Sequence, residues 1–300
     1  MNGKAQFETV GDGLLVRAPG KINLSLLVVG KRPDGFHELE TIMAKIDYYD
    51  EIFIEFNPKG GIPLVCEGPE WAPEGPENLV YKAARLLSDA CGLNPDIKLT
   101  LTKNIPAGSG LGSASSDAAA TLLGLNEYLK LGLPPRQLAK LAARLGSDVA
   151  FFLGGPLAFC TGRGEKIRKL RKKFHFLALL MLPDVSVSTK KVYANYVHDQ
   201  SLFEKLSTTI NGHITDNRIG SVVKMCANML ERCCFGLESE LAELKAEVEA
   251  LVAAKCCLSG SGSAMFCIVE DASREKASEL CNRIQAETGC KSIIVTDNGW

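Results

Sequence analysis

No stretch of this chain approaches the roughly 20 apolar residues that span a bilayer. The longest candidate, Phe174-His-Phe-Leu-Ala-Leu-Leu-Met-Leu182, reads as a buried strand. An excess of charge of one sign is also missing. The chain carries 34 basic against 35 acidic residues, so a nucleic-acid partner, which calls for a strong basic excess, is not expected. The first sixteen residues hold neither a signal-peptide apolar core nor an arginine-rich transit pattern, which points to the cytoplasm. No internal repeat is visible. Cysteine is plentiful but lacks a pattern: there are 11, an odd number, with no C-x-x-C spacing and with adjacent pairs at Cys233-Cys234 and Cys256-Cys257. A metal cluster is therefore not expected. Cysteines set in apolar runs such as 264–269 read as small buried hydrophobes in a reducing compartment.

Three hundred residues suffice for two modest domains. Residues 14–29 read as strand, interrupted at 18–21, and 52–56 as another strand. The Gly/Pro-rich segment 58–76 reads as loop with at most short strands. Asn78 opens a helix that runs to Cys91 and stops at Gly92. Strand 97–102 leads into a glycine-rich loop, then a helix over about 115–131. A second helix over 134–145 starts on prolines and ends at Gly146. Segment 161–164 is a turn between two strands, and the basic run 166–173 reads as a solvated strand edge or turn. Strand 174–182 precedes a helix capped by Ser188 or Thr189. Two amphipathic helices fill 220–254, a glycine-serine turn at 259–263 feeds a strand, and helix 272–288 and strand 291–296 close the chain. Strands and helices mix without strict alternation, which favours an α+β fold over a doubly wound sheet. The domain boundary falls between 155 and 174, placed at 1–165 and 166–300.

The loop is Pro106-Ala-Gly-Ser-Gly-Leu-Gly-Ser-Ala-Ser-Ser116. A glycine-rich turn between a strand and a helix N-terminus leaves backbone N–H groups unpaired at the positive end of the helix dipole, a built-in anion site. It is not a Walker A loop, since no lysine follows Gly112. It is not a dinucleotide fingerprint either, since Ser113 stands where the third glycine belongs. Taken alone, a flexible loop before a well-capped helix explains it equally well.

Three segments then stand in order: Pro19-Gly-Lys-Ile-Asn-Leu24, the loop, and Ser259-Gly-Ser-Gly-Ser263. Together they resemble the three motifs of the GHMP kinase superfamily of small-molecule kinases. Further segments narrow the resemblance: Gly30-Lys-Arg-Pro-Asp-Gly-Phe-His-Glu-Leu-Glu-Thr41, Asn78-Leu-Val-Tyr-Lys-Ala-Ala84, Gly146-Ser-Asp-Val149, Thr161-Gly-Arg-Gly-Glu165 and Val187-Ser-Thr-Lys-Lys-Val-Tyr193. They are similar to the branch that phosphorylates the 2-hydroxyl of 4-diphosphocytidyl-2-C-methyl-D-erythritol in the non-mevalonate isoprenoid pathway. The resemblance implies a first domain like domain 2 of ribosomal protein S5 and a ferredoxin-like second domain, with ATP and acceptor meeting between them. It implies ATP with Mg2+, a small-molecule substrate carrying a cytidine diphosphate group, and a monomer or homodimer.

The resemblance carries roles to particular residues. Lys21 and Asp148 match the catalytic lysine and aspartate, and Lys21 is expected to pair with Asp148. A turn lysine and a chain-turning cap are the plainer alternatives. An aspartate buried beside Val149-Ala-Phe-Phe152 needs a partner, which favours the functional role. Residues Pro106, Ala107, Gly108, Ser109, Gly110, Leu111, Gly112, Ser113, Ala114, Ser115 and Ser116 wrap the ATP phosphates. Here Ser113 and Ala114 replace glycines common in the family, so the backbone after Gly112 is helical or extended. Asn78 and Lys103 match positions near the ribose and adenine, with a helix cap and a strand-end charge as alternatives. Phe36 and Tyr193 match rings that sandwich the cytosine, and His37 matches a group bonded to the base edge; core packing and an ordinary turn are the alternatives. Asn23 and Thr189 complete the acceptor site. The magnesium ligands are unknown, with Ser115 a candidate. Two other functions stay open: a superfamily kinase acting on another small alcohol, such as a sugar or homoserine, and a non-catalytic nucleotide-binding module of the same fold.

Overall fold

The computed structural model describes residues 5–170, 174–269 and 273–300. Its first sheet is organised by a long ribbon of β2 (Gly13–Lys31) and β3 (His37–Phe56), joined by the turn at 32–36. The strand expected to break at 18–21 runs through. The register slips between Pro19 and Lys21, Asn23 and Ser25, and Val28 and Gly30 instead. Each slip is a bulge that bends the strand and re-aims the side chains beside it. Lys21 and Asn23 therefore sit at bulges in the middle of an otherwise apolar, buried strand.

β1 (Phe7–Val10) pairs with β2. β5 (Ile97–Thr102) pairs with the far half of β3, and β4 (Leu64–Glu67) lies parallel to β5. β6 (Leu157–Gly162) pairs with the near half of β3 and with β7 (Lys166–Lys169). Helices α1 (Leu79–Cys91), α2 (Ser113–Tyr128), α3 (Pro135–Leu145) and the single turn α4 (Val149–Phe152) cover one face and close a core with β2, β3 and β5. α1 begins and ends as its sequence dictates: the Asn78 side chain accepts from Val80 N, and Gly92 takes the left-handed conformation at φ 64°. α2 starts at Ser113, two residues earlier than expected.

The second sheet is antiparallel in the order β11 (Lys291–Thr296), β8 (Leu177–Leu182), β10 (Met265–Ile268), β9 (Cys257–Leu258). Helix α10 (Arg274–Thr288) connects β10 to β11. Five helices connect β8 to β9: α5 (Thr189–Asn195), α6 (Gln200–Thr215), α7 (Ile219–Met225), α8 (Glu231–Leu237) and α9 (Ser239–Val252). This is the ferredoxin-like β-α-β-β-α-β order with an enlarged first crossover. The two helices expected in 220–254 are three, and α6 was not anticipated. Among the described residues no helix is long and apolar enough to cross a membrane.

The first sheet ends at Lys169, so a division at 165/166 cuts the β6–β7 hairpin, and the change of sheet falls between Lys169 and Leu177. Residues 171–173 of the basic run, and Ala272 at the expected start of the last helix, lie outside the described residues. The two halves share one apolar core, in which Ile22, Leu24 and Leu26 of β2 join β8, β10 and the crossover helices. Asp47 of β3 further ties β11, accepting from Thr296 N at 2.6 Å and Thr296 Oγ1 at 2.8 Å. The cysteines correct one expectation. Cys226 and Cys257 form a disulfide with Cα atoms 5.2 Å apart, joining the end of α7 to β9, while the other nine are free.

Candidate active site

A cavity of about 1280 Å³ opens between the first domain and the second domain's α5 and glycine-serine turn, and the loop between β5 and α2 lines it. Gly108, Gly110 and Gly112 all take positive φ, 72°, 78° and 70°. At Gly110 the need for glycine is steric as well, because a Cβ there would lie 2.2 Å from the Ser259 carbonyl oxygen. The loop is stitched to both domains through its backbone. Lys21 N donates to Leu111 O at 2.9 Å, and Ala264 N donates to Ser109 O at 2.9 Å. Ser259 Oγ donates to Gly110 O at 3.1 Å. The glycine-serine turn of the second domain thus lies directly against the glycine-rich loop of the first. Ser113 opens α2 in helical conformation, as the added Cβ requires.

Lys21 is buried, and its Nζ donates to Asn23 Oδ1 at 2.6 Å and to Gly110 O. Asn23 is held in turn, its Nδ2 donating to Thr41 Oγ1 at 2.8 Å, and Thr41 Oγ1 donating to Ser25 O at 2.6 Å. Burial pushes the Lys21 ammonium down to about 8, and the nearby Asp148 carboxylate pulls it part of the way back. The two interact through space and do not form the direct ion pair that the sequence suggests. Asp148 is also less enclosed than expected: half-buried, at the N-cap of α4, with Ser147 Oγ 3.4 Å from its carboxylate. Its charge is felt at Tyr193, whose hydroxyl is pushed well above the usual range by burial first and by Asp148 second.

Lys103 is not a strand-end surface charge. It is buried, and its Nζ contacts Asp50, Asp117 at 3.0 Å and Ser113 Oγ at 2.7 Å. Asp50 Oδ1 also accepts from Asn104 N at 2.6 Å and Ile105 N at 2.8 Å. These contacts fasten the loop where it leaves β5 and where it enters α2. With two carboxylates on one ammonium, burial and then the Asp50 charge push the Asp117 carboxyl well up, and Asp117 Oδ1 has no hydrogen-bond partner. Asn78 is a helix cap whose other polar atom is also used, Nδ2 donating to Pro73 O at 2.7 Å.

The opposite wall is aromatic. His37 stacks on Tyr193 with ring centroids 5.1 Å apart and meets Tyr196 edge-on at 5.8 Å. Burial, Lys31 and His198 all lower the His37 pKa, so the ring is neutral near pH 7 and offers one donor and one acceptor. Phe36 is 53% exposed, with the Arg163 guanidinium 4.8 Å from its ring centroid. Core packing therefore does not explain Phe36. Thr189 Oγ1 lies 2.8 Å from Ser261 Oγ, linking α5 to the glycine-serine turn.

Of the residues singled out in the sequence, all but Leu111 and Ser116 line this one cavity. The Leu111 side chain is buried in the core beneath the loop, and Ser116 Oγ is buried without a partner. Sequence reasoning missed Asp50, which belongs to no motif, and Trp71, which lines the cavity and is 74% exposed. A tryptophan inside a Gly/Pro-rich loop was the available signal for the latter. Among the described residues no group of three or more His, Cys, Asp or Glu side chains is placed to hold a metal.

Residues 78–156 match the model of the GHMP kinases N-terminal domain. A 4-diphosphocytidyl-2-C-methyl-D-erythritol kinase from Geobacillus sp. (strain WCH70) is 38% identical over 261 residues, 87% of this chain and 90% of the relative. One from Bacillus cereus (strain B4264) is 37% identical over the same shares. A crystal structure of 4-(cytidine 5'-diphospho)-2C-methyl-D-erythritol kinase superposes with a TM-score of 0.74 at 30% identity, covering 95% of this chain and 100% of that one. A homoserine kinase from Cytophaga hutchinsonii, 19% identical with a TM-score of 0.73 over 99% of this chain and 98% of its own, shares the fold. By these identities and this coverage, the chain belongs to the 4-diphosphocytidyl-2-C-methyl-D-erythritol kinase family of GHMP kinases.

Proposed function

We propose that this chain transfers the γ-phosphoryl group of ATP to the 2-hydroxyl of 4-diphosphocytidyl-2-C-methyl-D-erythritol, with Asp148 as general base and Lys21 as its electrostatic partner. The observation that carries this reading is the placement of both groups between the phosphate loop and the aromatic wall. Lys21, Asp148 and Tyr193 line one cavity, and the Asp148 charge raises the pKa of both the Lys21 ammonium and the Tyr193 hydroxyl, which supports a carboxylate within reach of both substrates.

In this reading the loop backbone and the N-terminus of α2 take the phosphates, and Trp71, Asn78 and Lys103 close the purine end. Phe36 and Tyr193 take the cytosine between their faces while neutral His37 bonds its edge. Asp148 accepts the hydroxyl proton as the oxygen attacks phosphorus, and the Lys21 ammonium steadies the charge that builds on the transferred group. Positioning supplies most of the acceleration in such a reaction. The donor set fits a magnesium ion carried in on the phosphates, which needs only one or two protein oxygens; the Ser115 hydroxyl and the Asp148 carboxylate both line the cavity. When bound, the ion neutralises phosphate charge. A kinase for another alcohol remains the second reading, and the exposed Phe36 beside His37 and Tyr193 argues against it, since a small aliphatic alcohol gives those rings nothing to hold.

The test is Asp148→Asn, which keeps shape and removes the base. The expected outcome is a fall in kcat of roughly 10²–10⁴-fold with ATP affinity unchanged by calorimetry. An Asn variant that turns over at the parent rate contradicts the assignment.

A further inference from the structure

Lys45 of β3 is a buried lysine that the chemistry above does not use. It is 1% exposed and ion-pairs with no carboxylate among the described residues. Its Nζ donates to two backbone carbonyls, Phe152 O at 3.1 Å and Gly154 O at 2.8 Å, and lies 5.7 Å from the Trp300 ring centroid. Its own backbone is fixed on both sides: Lys45 N donates to Pro156 O at 2.8 Å, and Lys45 O accepts from Asn298 N at 3.0 Å.

Phe152 is the last residue of α4, the single turn that Asp148 caps, and Gly154 follows its C-cap Leu153. Phe151 N donates to Asp148 O at 3.1 Å, and Gly154 N donates to Phe151 O at 3.0 Å. A lone turn does not hold itself, because fixing its dihedrals costs more than its few hydrogen bonds return. Its final carbonyls, buried without donors, would each carry a desolvation penalty. The other face of α4 supports the loop: a Cβ on Gly112 would lie 3.1 Å from Phe152 Cζ. The turn therefore presents Asp148 at one end, underpins the phosphate loop through Phe152, and rests its carbonyl end on Lys45.

We infer that Lys45 is a positioning residue for Asp148, acting through the carbonyl end of α4; the inference rests on Asp148 being the base. Lys45 does not line the cavity. Burial, helped by the Lys169 charge, pushes its pKa down to about 7. Both the ammonium and the amine keep at least two N–H donors, so two carbonyls are served in either form.

The test compares Lys45→Met, which fills the space without a donor, with Lys45→Gln, which returns an N–H. Lys45→Met is expected to lower kcat about tenfold or more, as small misplacements of a reacting group do. The KM values for both substrates should stay within about twofold. Amide exchange followed by mass spectrometry should speed up at 149–154 and not in β2 or β5. Lys45→Gln should recover part of both effects. A folded Lys45→Met enzyme with parent kcat and parent exchange overturns the inference, as do kcat and both KM values that only follow thermal stability. If Lys45→Met does not fold, Lys45→Gln decides alone: a lower kcat at unchanged KM with faster exchange at 149–154 supports the inference, and parent values overturn it. Failure of the Asp148 reading shows separately as an active Asp148→Asn enzyme, and exchange at 149–154 then decides whether Lys45 holds α4.

Discussion

Lys21 carries its charge where burial penalises it, and the pH behaviour of the protein should show this. Its pKa lies at about 8, against 10.5 for an ordinary lysine. If the ammonium is the working form, kcat/KM falls as pH rises through about 8, since this parameter reports the free enzyme. The kcat limb moves to higher pH, because bound phosphates favour the charged form. Stability runs the other way. The folded pKa is depressed, so above about 8 the unfolded chain holds the extra proton, and the penalty from Lys21 present below that pH is relieved. Lys45 contributes in the same direction from about 7. Higher still the sign reverses, because buried thiols such as Cys160 and Cys234 are raised from 9.0 to about 12 and the unfolded chain ionises first. Between about pH 8 and 9 activity should therefore fall while Tm does not. A pH–rate profile beside a pH–Tm profile checks this, and parallel losses would mean unfolding rather than titration of Lys21. At this scale the sequence showed Lys21 and Asp148 through their motifs. Asp50 and Lys45 escaped because their significance lies in partners 53 and 107 or more positions away.

The loop between β5 and α2 works as an element because its two ends and its middle are all tied. The Asp50–Lys103–Asp117 group holds the ends, and the glycine-serine turn of the second domain presses on the middle. Gly110→Ala should disturb both domains at once. The left-handed backbone costs an alanine about 1–2 kcal/mol, and the new Cβ would meet Ser259 O at 2.2 Å. ATP affinity should drop by roughly tenfold or more, and Tm should fall. Calorimetry and a melt check this, and parent affinity would mean that the two loops need not touch. Elements bounded by local chemistry were legible: α1 by Asn78 and Gly92, and α3 by Pro134-Pro135 and Gly146. Residues 37–51 of β3 were not, because Lys45, Asp47 and Asp50 break the apolar pattern and are satisfied only by tertiary partners. α6 was hidden for a related reason, since only Ile210 and Ile214 of its sixteen residues are buried.

In the whole molecule the two sheets share a core, and the cavity is lined by the first domain together with α5 and the glycine-serine turn of the second. The first domain brings the glycine-rich loop, Lys21, Asp148, Phe36 and His37 to its lining. The second brings Tyr193, Thr189 and the turn at 259–263 that touches the loop. Neither domain alone lines the cavity, so in the proposed function acceptor specificity depends on both. The most direct measurement is ADP release by the purified protein with Mg-ATP. The acceptors to compare are 4-diphosphocytidyl-2-C-methyl-D-erythritol, methylerythritol 4-phosphate, mevalonate and homoserine. Turnover with the cytidylyl acceptor alone is the predicted result. Turnover with one of the others and not with it would contradict the aromatic wall as a cytosine site.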